Sequence, residues 1–253
     1  MTILTKPKPP RGVGMSFKRS GAIWLRRADV RRRVVARVCT ALRETYGEPR
    51  LGNPSDPVDD LVFITVSNKT APTTAAAVFE ALRRRFPRWD DLAAARMYEV
   101  RRIMKPAGLA TVKARQLRAA LRQIRKDFGS CDLSPLRKLP ADDVERYLTT
   151  LPGVSQKVAK CVMIYTLDFA VLPVDVHVHR VASRLGWTAR KRADQSHEEL
   201  EALVPSALRY GFHVAAIAHG RQVCRPLPEC QVCPVARDCD YYRRHVEKAP
   251  RRD

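Results

Sequence analysis

The sequence predicts an all-α protein, and three observations carry the prediction. Apolar residues recur at helical spacing along most of the chain, strand-like alternation is almost absent, and Pro and Gly interrupt the pattern at short intervals. Many short helices packed around a core satisfy all three. With 253 residues, 45% of them apolar, the chain can bury a proper core in one large domain or two small ones.

In chain order, residues 1–20 include "TKPKPPRG", which is basic, Pro-rich and without apolar periodicity, and reads as a flexible arm that can touch a phosphate backbone. From about Asp29, "DVRRRVVARVCTALRETYG" sets apolar residues at helical spacing with arginines opposite and Gly47 as the stop, which predicts an amphipathic helix. Helical patterns follow in "PVDDLVFITVS", "APTTAAAVFEALRRRF", "MYEVRRIM", "LATVKARQLRAALRQIRKDF" and "ADDVERYLTTL", then in "SQKVAKCVMIYTL", "DVHVHRVASRLGW", "SHEELEALV" and "ALRYGFHVAAIAHGRQVC". One echo is internal: "GLATVKA" and "GVSQKVA" both run Gly, apolar residue, then Ala six places after the Gly. Two similar turn-to-helix entries are expected.

Lys and Arg number 47 against 26 acids, a formal net charge of +21. Such an excess favours a polyanion or an anionic membrane surface, with nucleic acid as the leading candidate. No apolar run approaches the roughly 20 residues needed to cross a bilayer, and the first residues lack the apolar core of a secretory signal. The expectation is a soluble intracellular protein of the cytoplasm, associated with the nucleoid. In a reducing compartment cysteines seldom pair, so Cys39, Cys131 and Cys161, which are scattered, read as core. The other four stand in "CRPLPECQVCPVARDC", where Cys224, Cys230, Cys233 and Cys239 form a C-x5-C-x2-C-x5-C pattern. Four thiolates that close predict a metal site, and spacing alone leaves zinc and an iron-sulfur cube both open. A closed all-cysteine site has no vacancy for substrate, so its first role is to fold the tail.

In "YLTTLPGVSQKVAKC" one helix ends near Thr150, Pro152 and Gly153 make a tight turn, and another helix starts. The free amides of a helix start suit a phosphate oxygen, which makes Leu151, Gly153, Val154 and Ser155 candidate DNA contacts. An ordinary helix-turn-helix corner with a solvated lysine is the alternative for the turn alone. Downstream, "FAVLPVDVHVHR" puts Asp175 before a fresh helical run as an N-cap candidate. A helix from Gln156 to about Leu167 advances roughly 18 Å, and an extended return from Phe169 to Val174 covers about 20 Å. Asp175 can therefore come back beside Lys157. An amine there can attack the anomeric carbon of a deoxyribose as the base leaves, with the carboxylate stabilising the positive charge on the sugar or taking up a proton. His177 and His179 invite a metal reading, but metal hydrolases with that pattern carry it at a strand end in an α/β fold, which this chain lacks.

These residues together resemble the helix-hairpin-helix DNA glycosylases of the endonuclease III type (HhH-GPD). The resemblance rests on "LPGVSQK" with its lysine, "PVDVHVHR" with its aspartate 18 residues later, and the four-cysteine tail after "HGRQVC", and it covers the chain from about Asp56 to Tyr242. It implies a six-helix barrel domain with the hairpin over 56–170 and a helical [4Fe-4S] cluster domain formed by 21–55 and 171–253. Double-stranded DNA would lie between them. It favours iron-sulfur over zinc, and it implies a monomer with no membrane partner. By position, Lys157 would be the Schiff-base nucleophile and Asp175 the essential carboxylate. Leu109 would be an apolar wedge beside the extruded nucleotide, although a core leucine fits the sequence as well. Lys69 falls where bacterial members often carry a gap-filling glutamine. The stretch from "DLSPLRKLPADDVERYLTTLPG" to "VLPVDVHVHRVASRLGW" is also similar to the plant 5-methylcytosine excision enzymes of the DEMETER type, including Gly186 and Trp187.

The function expected is a bifunctional DNA glycosylase and AP lyase of base excision repair acting on an oxidised pyrimidine. A 5-methylcytosine or mismatch-directed glycosylase is the alternative, and a DNA-binding protein with a structural metal cluster is the non-enzymatic one. Burial and the surrounding positive field are expected to lower the pKa of Lys157 from the usual lysine value of about 10.4.

Overall fold

The computed structural model describes residues 20–49 and 52–247, so the basic arm expected over 1–20 lies outside the described residues except for Ser20. Twelve α-helices and six short 3-10 turns make up the regular structure of the described residues, with no strand among them. The helices are α1 (Ser20–Tyr46), α2 (Pro57–Ser67), α3 (Pro72–Arg85), α4 (Trp89–Ala94), α5 (Met97–Met104) and α6 (Ala110–Phe128). They continue with α7 (Ala141–Thr150), α8 (Gln156–Thr166), α9 (Val176–Arg184), α10 (His197–Leu203), α11 (Arg209–Gln222) and α12 (Asp240–His245).

Two differences from the sequence reading have simple causes. The first helix begins at Ser20, well before Asp29, because "SGAIWLRRA" holds enough good helix formers to extend it without an apolar face to announce it. Helices α4 and α12 span six residues each, fewer than two turns, which is too short for a helical period to register. Where local signals exist the boundaries follow them. Asp56 caps α2 by accepting from the amides of Val58 and Asp59, and Pro57 takes the first helical position, where its missing N–H costs nothing.

The apolar residues gather into two cores. The first runs from Val58 to Val171 and joins α2 to α8 around Leu61, Leu82, Leu117, Ile124, Leu148 and Met163. The second brings Val35, Val38 and Leu42 of α1 together with Leu172, Val178, Trp187, Phe212 and Ala216, so α1 packs on α11 and α11 on α9. The chain passes from one core to the other between Val171 and Leu172. Cys39 and Cys161 are buried in these cores and Cys131 lies partly buried against the first.

An ion network ties α7 and α8 to the second half of the chain. Lys160 Nζ, 4% exposed, lies 3.0 Å from Glu145 on α7 and 2.5 Å from Glu201 on α10. Glu201 Oε2 also accepts from the Leu172 amide at 3.0 Å, and Arg209 Nη2 donates to the Glu201 carbonyl at 2.6 Å. Lysine at this depth persists only because two carboxylates flank it.

Candidate active site

The hairpin between α7 and α8 is built by two local devices. The Val154 amide donates to the Leu151 carbonyl at 3.0 Å, closing the turn, and Gly153 sits at φ 82, a left-handed conformation that side chains resist. Ser155 then caps α8, its hydroxyl accepting from the Val158 amide at 3.4 Å. The echo noted in the sequence corresponds to a second such entry, where Gly108 at φ 67 precedes α6. Leu151 and Val154, 2% and 8% exposed, place their side chains in the first core, so these two can meet a phosphate only through their backbone. Gly153 and Ser155 are exposed.

Lys157 stands in the first turn of α8, partly buried, with Cys161 one turn further along the same helix face. Its ammonium is held above the ordinary lysine value: Cys161 raises it first, burial opposes, and Asp175 and Asp60 raise it further. The expected lowering is thus corrected. Nearby anions outweigh desolvation and the distant positive charge of the chain. Burial pushes the Cys161 thiol up to about 11, with Lys157 beside it opposing that rise.

Those carboxylates are held differently. Asp175 caps α9, with Oδ1 accepting from the amides of His177 at 2.9 Å and Val178 at 2.8 Å. Asp60 is fully buried on α2, which packs against α8. Its Oδ1 accepts from Asn53 Nδ2 at 2.5 Å, and its Oδ2 has no hydrogen-bond partner among the described residues. Burial raises the Asp60 carboxyl to about 7, against the lowering effects of Asn53 and Lys157. Beneath them Tyr165 Oη lies 2.6 Å from His213 Nε2, and His213 Nδ1 lies 2.9 Å from the Pro173 carbonyl. Burial pushes His213 down to about 4, so near neutrality it is uncharged; Nδ1 must donate to the carbonyl, and Nε2 therefore accepts from Tyr165.

Leu109 and Lys69 occupy two loop tips that are fastened to one another. Leu109 is 61% exposed at φ 49, which removes the core alternative, and Lys69 is exposed at φ 53. Buried Lys113 donates to the carbonyls of Val66 and Ala107 and to Thr70 Oγ1, all within 2.9 Å, while Thr70 Oγ1 donates to the Ala107 carbonyl at 2.8 Å. One lysine thus clamps both tips.

Cys224, Cys230, Cys233 and Cys239 line a single cavity with Val181, Leu185 and His219. No group of three or more His, Cys, Asp or Glu among the described residues is gathered tightly enough for one metal ion. Burial raises the thiols of Cys230 and Cys239 and takes Cys233 to about 11. Four soft donors around one cavity, with no carboxylate in its lining, fit a thiolate-bound metal centre. Arg184 donates to Cys224 Sγ at 3.3 Å and its guanidinium lies 4.8 Å from the Tyr241 ring. Arg180 donates to the carbonyls of Cys224 at 2.8 Å and Gly220 at 2.7 Å, tying the helix that Asp175 caps to the cysteine loop.

Sequence reasoning does not find Asp60, Lys113, Lys160 and Arg180 as parts of this arrangement. Only Cys161, four residues from Lys157, carries a spacing signal, and by itself it reads as core.

Comparison with known proteins agrees with this geometry. The family model described as HhH-GPD superfamily base excision DNA repair protein matches residues 62–206, more than half of the chain. A provisionally named DNA glycosylase of Arabidopsis thaliana is 30% identical over 65% of this chain and 56% of its own length. Endonuclease III of Thermotoga maritima is 28% identical over 78% of this chain and 88% of its own. DEMETER-like protein 2 of Arabidopsis thaliana is 28% identical over 61% of this chain, but the match spans only 13% of that much longer protein. Among solved structures, a non-covalent endonuclease III–DNA complex superposes with a TM-score of 0.72 at 21% identity, covering 86% of this chain and 99% of that one. A trapped endonuclease III–DNA covalent intermediate gives 0.68 at 22% identity over 86% and 97%. Among the described residues no helix is long and apolar enough to cross a membrane. With its fold, its hairpin lysine and its family match in agreement, the chain belongs to the HhH-GPD superfamily of base excision DNA repair proteins.

Proposed function

We propose that this member of the superfamily is a bifunctional DNA glycosylase and AP lyase acting on duplex DNA. The observation that carries the reading is Lys157 in the first turn after the hairpin, within electrostatic reach of both Asp175 and Asp60. In this reading 56–170 forms the barrel domain, 21–55 with 171–253 forms the cluster domain, and a monomer binds DNA across both. Backbone amides from Leu151 to Ser155 hold a phosphate. Leu109 and Lys69 enter the duplex where the base is extruded.

The Lys157 amine attacks C1′ of the flipped nucleotide as the glycosidic bond breaks, and the base leaves with the bonding electrons and takes up a proton. The Asp175 carboxylate, fixed by two amides, stabilises the positive charge that develops on the sugar. The C1′–O4′ bond then breaks as the amine nitrogen loses a proton and O4′ gains one, giving the imine, and loss of a C2′ proton expels the 3′ phosphate as the C3′–O3′ bond breaks. The substrate class is an oxidised pyrimidine, because a base that has lost aromaticity stacks poorly and costs less to extrude. A second reading, removal of 5-methylcytosine or a mismatched base, is favoured by the similarity to DEMETER-like protein 2. Cys224, Cys230, Cys233 and Cys239 would hold a [4Fe-4S] cluster, with zinc as the alternative, and when bound it supplies a covalent staple for the tail.

Borohydride added during turnover on an abasic duplex tests the reading. Wild-type protein should become joined to DNA through Lys157, and Lys157→Ala should abolish the adduct while still binding DNA. An undiminished adduct in Lys157→Ala would place the nucleophile elsewhere.

A further inference from the structure

Two loop tips are set apart by their backbone. Lys69 at φ 53 and Leu109 at φ 49 both stand in the left-handed region, which a residue with a side chain resists unless its neighbours hold it there. Leu109 is also 61% exposed, so burial does not fix it. Both tips are held by a third residue, Lys113, which lies in the first turn of α6 and is 5% exposed.

An ammonium has three N–H donors, and here each meets a neutral oxygen: the Val66 carbonyl at 2.9 Å, Thr70 Oγ1 at 2.8 Å and the Ala107 carbonyl at 2.8 Å. Thr70 Oγ1 in turn lies 2.8 Å from both of those carbonyls. The Lys113 amide donates to the Leu109 carbonyl at 3.0 Å. Val66 and Thr70 bracket Lys69 in the chain, and Ala107 and Lys113 bracket Leu109, so one knot fixes both tips. Packing alone does not call for a lysine here. Lys160, just as deeply buried, is flanked by Glu145 and Glu201, whereas the three partners of Lys113 are neutral and burial lowers its ammonium. A cation kept among neutral groups costs stability that an apolar side chain would not. The same helix also reaches the hairpin. Gln116, about one turn beyond Lys113, lies against Gly153 so closely that a Cβ there would come within 2.7 Å of Gln116 Cβ.

We propose that Lys113, together with Thr70, is the positioning residue of a two-tip wedge: it holds Leu109 and Lys69 as one rigid unit, which α6 sets against the hairpin that grips the phosphate. The inference deepens the reading that these tips enter the duplex, and it rests on that reading. A wedge gains from being rigid before it meets DNA, because ordering two tips at the moment of insertion would draw on the same binding energy that unstacks the bases. Lys113 does not touch the DNA and acts through Leu109 and Lys69.

The test uses a duplex that carries a tetrahydrofuran abasic analogue beside 2-aminopurine, a base whose fluorescence rises when it unstacks. Protein is added to saturation, as judged by anisotropy of an end label. Wild type should give a clear rise, and Leu109→Ala should remove most of it. Lys113→Met keeps the stem and loses the donors, so it should bind the duplex yet give a rise about threefold smaller. Added to Leu109→Ala, it should take nothing further. Thr70→Val keeps the shape of the side chain without its hydroxyl and should lose part of the rise, whereas Thr70→Ser should retain most of it. This pair decides the matter if Lys113→Met does not fold. A full rise in folded Lys113→Met and Thr70→Val, with Leu109→Ala still deficient, would overturn the clamp alone, as would a loss from Lys113→Met that is undiminished in the Leu109→Ala background. No rise in the wild type, or a full rise in both Leu109→Ala and Lys69→Ala, would overturn the wedge reading and the clamp with it.

Discussion

In the helices of the first core, two buried lysines are met by other parts of the same chain. Lys113 finds two carbonyls and a hydroxyl, and Lys160 sits between Glu145 and Glu201. Around the tail four cysteines, three buried and Cys233 partly so, share one cavity with buried His219, and burial raises the thiols of three of them. Cys239 donates to the Arg184 carbonyl at 3.2 Å and Cys224 accepts from Arg184. The regular structure between Cys224 and Cys239 is two short 3-10 turns, Cys230–Val232 and Ala236–Asp238. One region is held by protein groups alone. In the proposed reading the other is completed by a thiolate-bound metal centre, and its stability should follow that group's binding.

The largest effect that would break this contrast is at Cys230, which is buried in the lining. Cys230→Ser should lose metal and most soluble protein together, because a structural metal site contributes folding free energy directly. Visible absorbance, metal content and limited proteolysis after Val223 report it. A variant that stays soluble, metal-free and protease-resistant would show that the tail folds on its own contacts.

Next in size is Lys160. Lys160→Met should destabilise by about 3 kcal/mol, because it removes the cation between Glu145 and Glu201 and leaves Arg209, 3.5 Å from Glu201 Oε1, as the cation on that side alone. Both carboxylates keep about a fifth of their surface in water, which holds the cost toward the low end of what a buried pair commands. For a chain of this size that corresponds to roughly 8 °C in melting temperature. Adding Glu145→Gln and Glu201→Gln to Lys160→Met should recover part of the loss, and no recovery would mean that packing of the lysine stem matters more than charge.

What the sequence makes legible is whatever local chemistry encodes. Asp175 can be placed at a helix start because capping is read from neighbours, and its return toward Lys157 follows from helix rise and strand length. The hairpin at Gly153 is legible for the same reason. Asp60 is not, because a second acid in the first turn of "PVDDLVFITVS" reads as an ordinary complement to the helix dipole. Its burial is decided by α8, whose Lys157 lies almost a hundred residues away. Lys160 is obscured in the same way: one partner is on the preceding helix, but the other, Glu201, belongs to a helix that no local pattern assigns to that face. Leu109 stands between wedge and core until its 61% exposure separates them.

The smallest predicted effect concerns Asp60 as a stability element, and its sign is the informative part. Its folded pKa of about 7 lies above the unfolded value of 3.8. The native state therefore binds the proton more tightly, and stability is lost as pH rises from about 4 through about 7. His213 acts oppositely. Its folded value of about 4 lies below the unfolded 6.5, so it removes stability as pH falls through that same window. In the wild type the two groups offset each other between these limits, which predicts a shallow pH dependence of melting temperature. Asp60→Asn keeps the acceptor for Asn53 but cannot ionise, so it should gain stability over wild type near pH 8 and equal it near pH 4. It should also lose stability more steeply in acid, because the histidine is then unopposed. A variant destabilised equally at both ends of the range would mean that Asp60 is kept for its packing and its bond to Asn53. A gain confined to the alkaline end would mean that the fold carries a buried carboxylate at a cost in stability, set by its burial and only partly offset by its bond from Asn53.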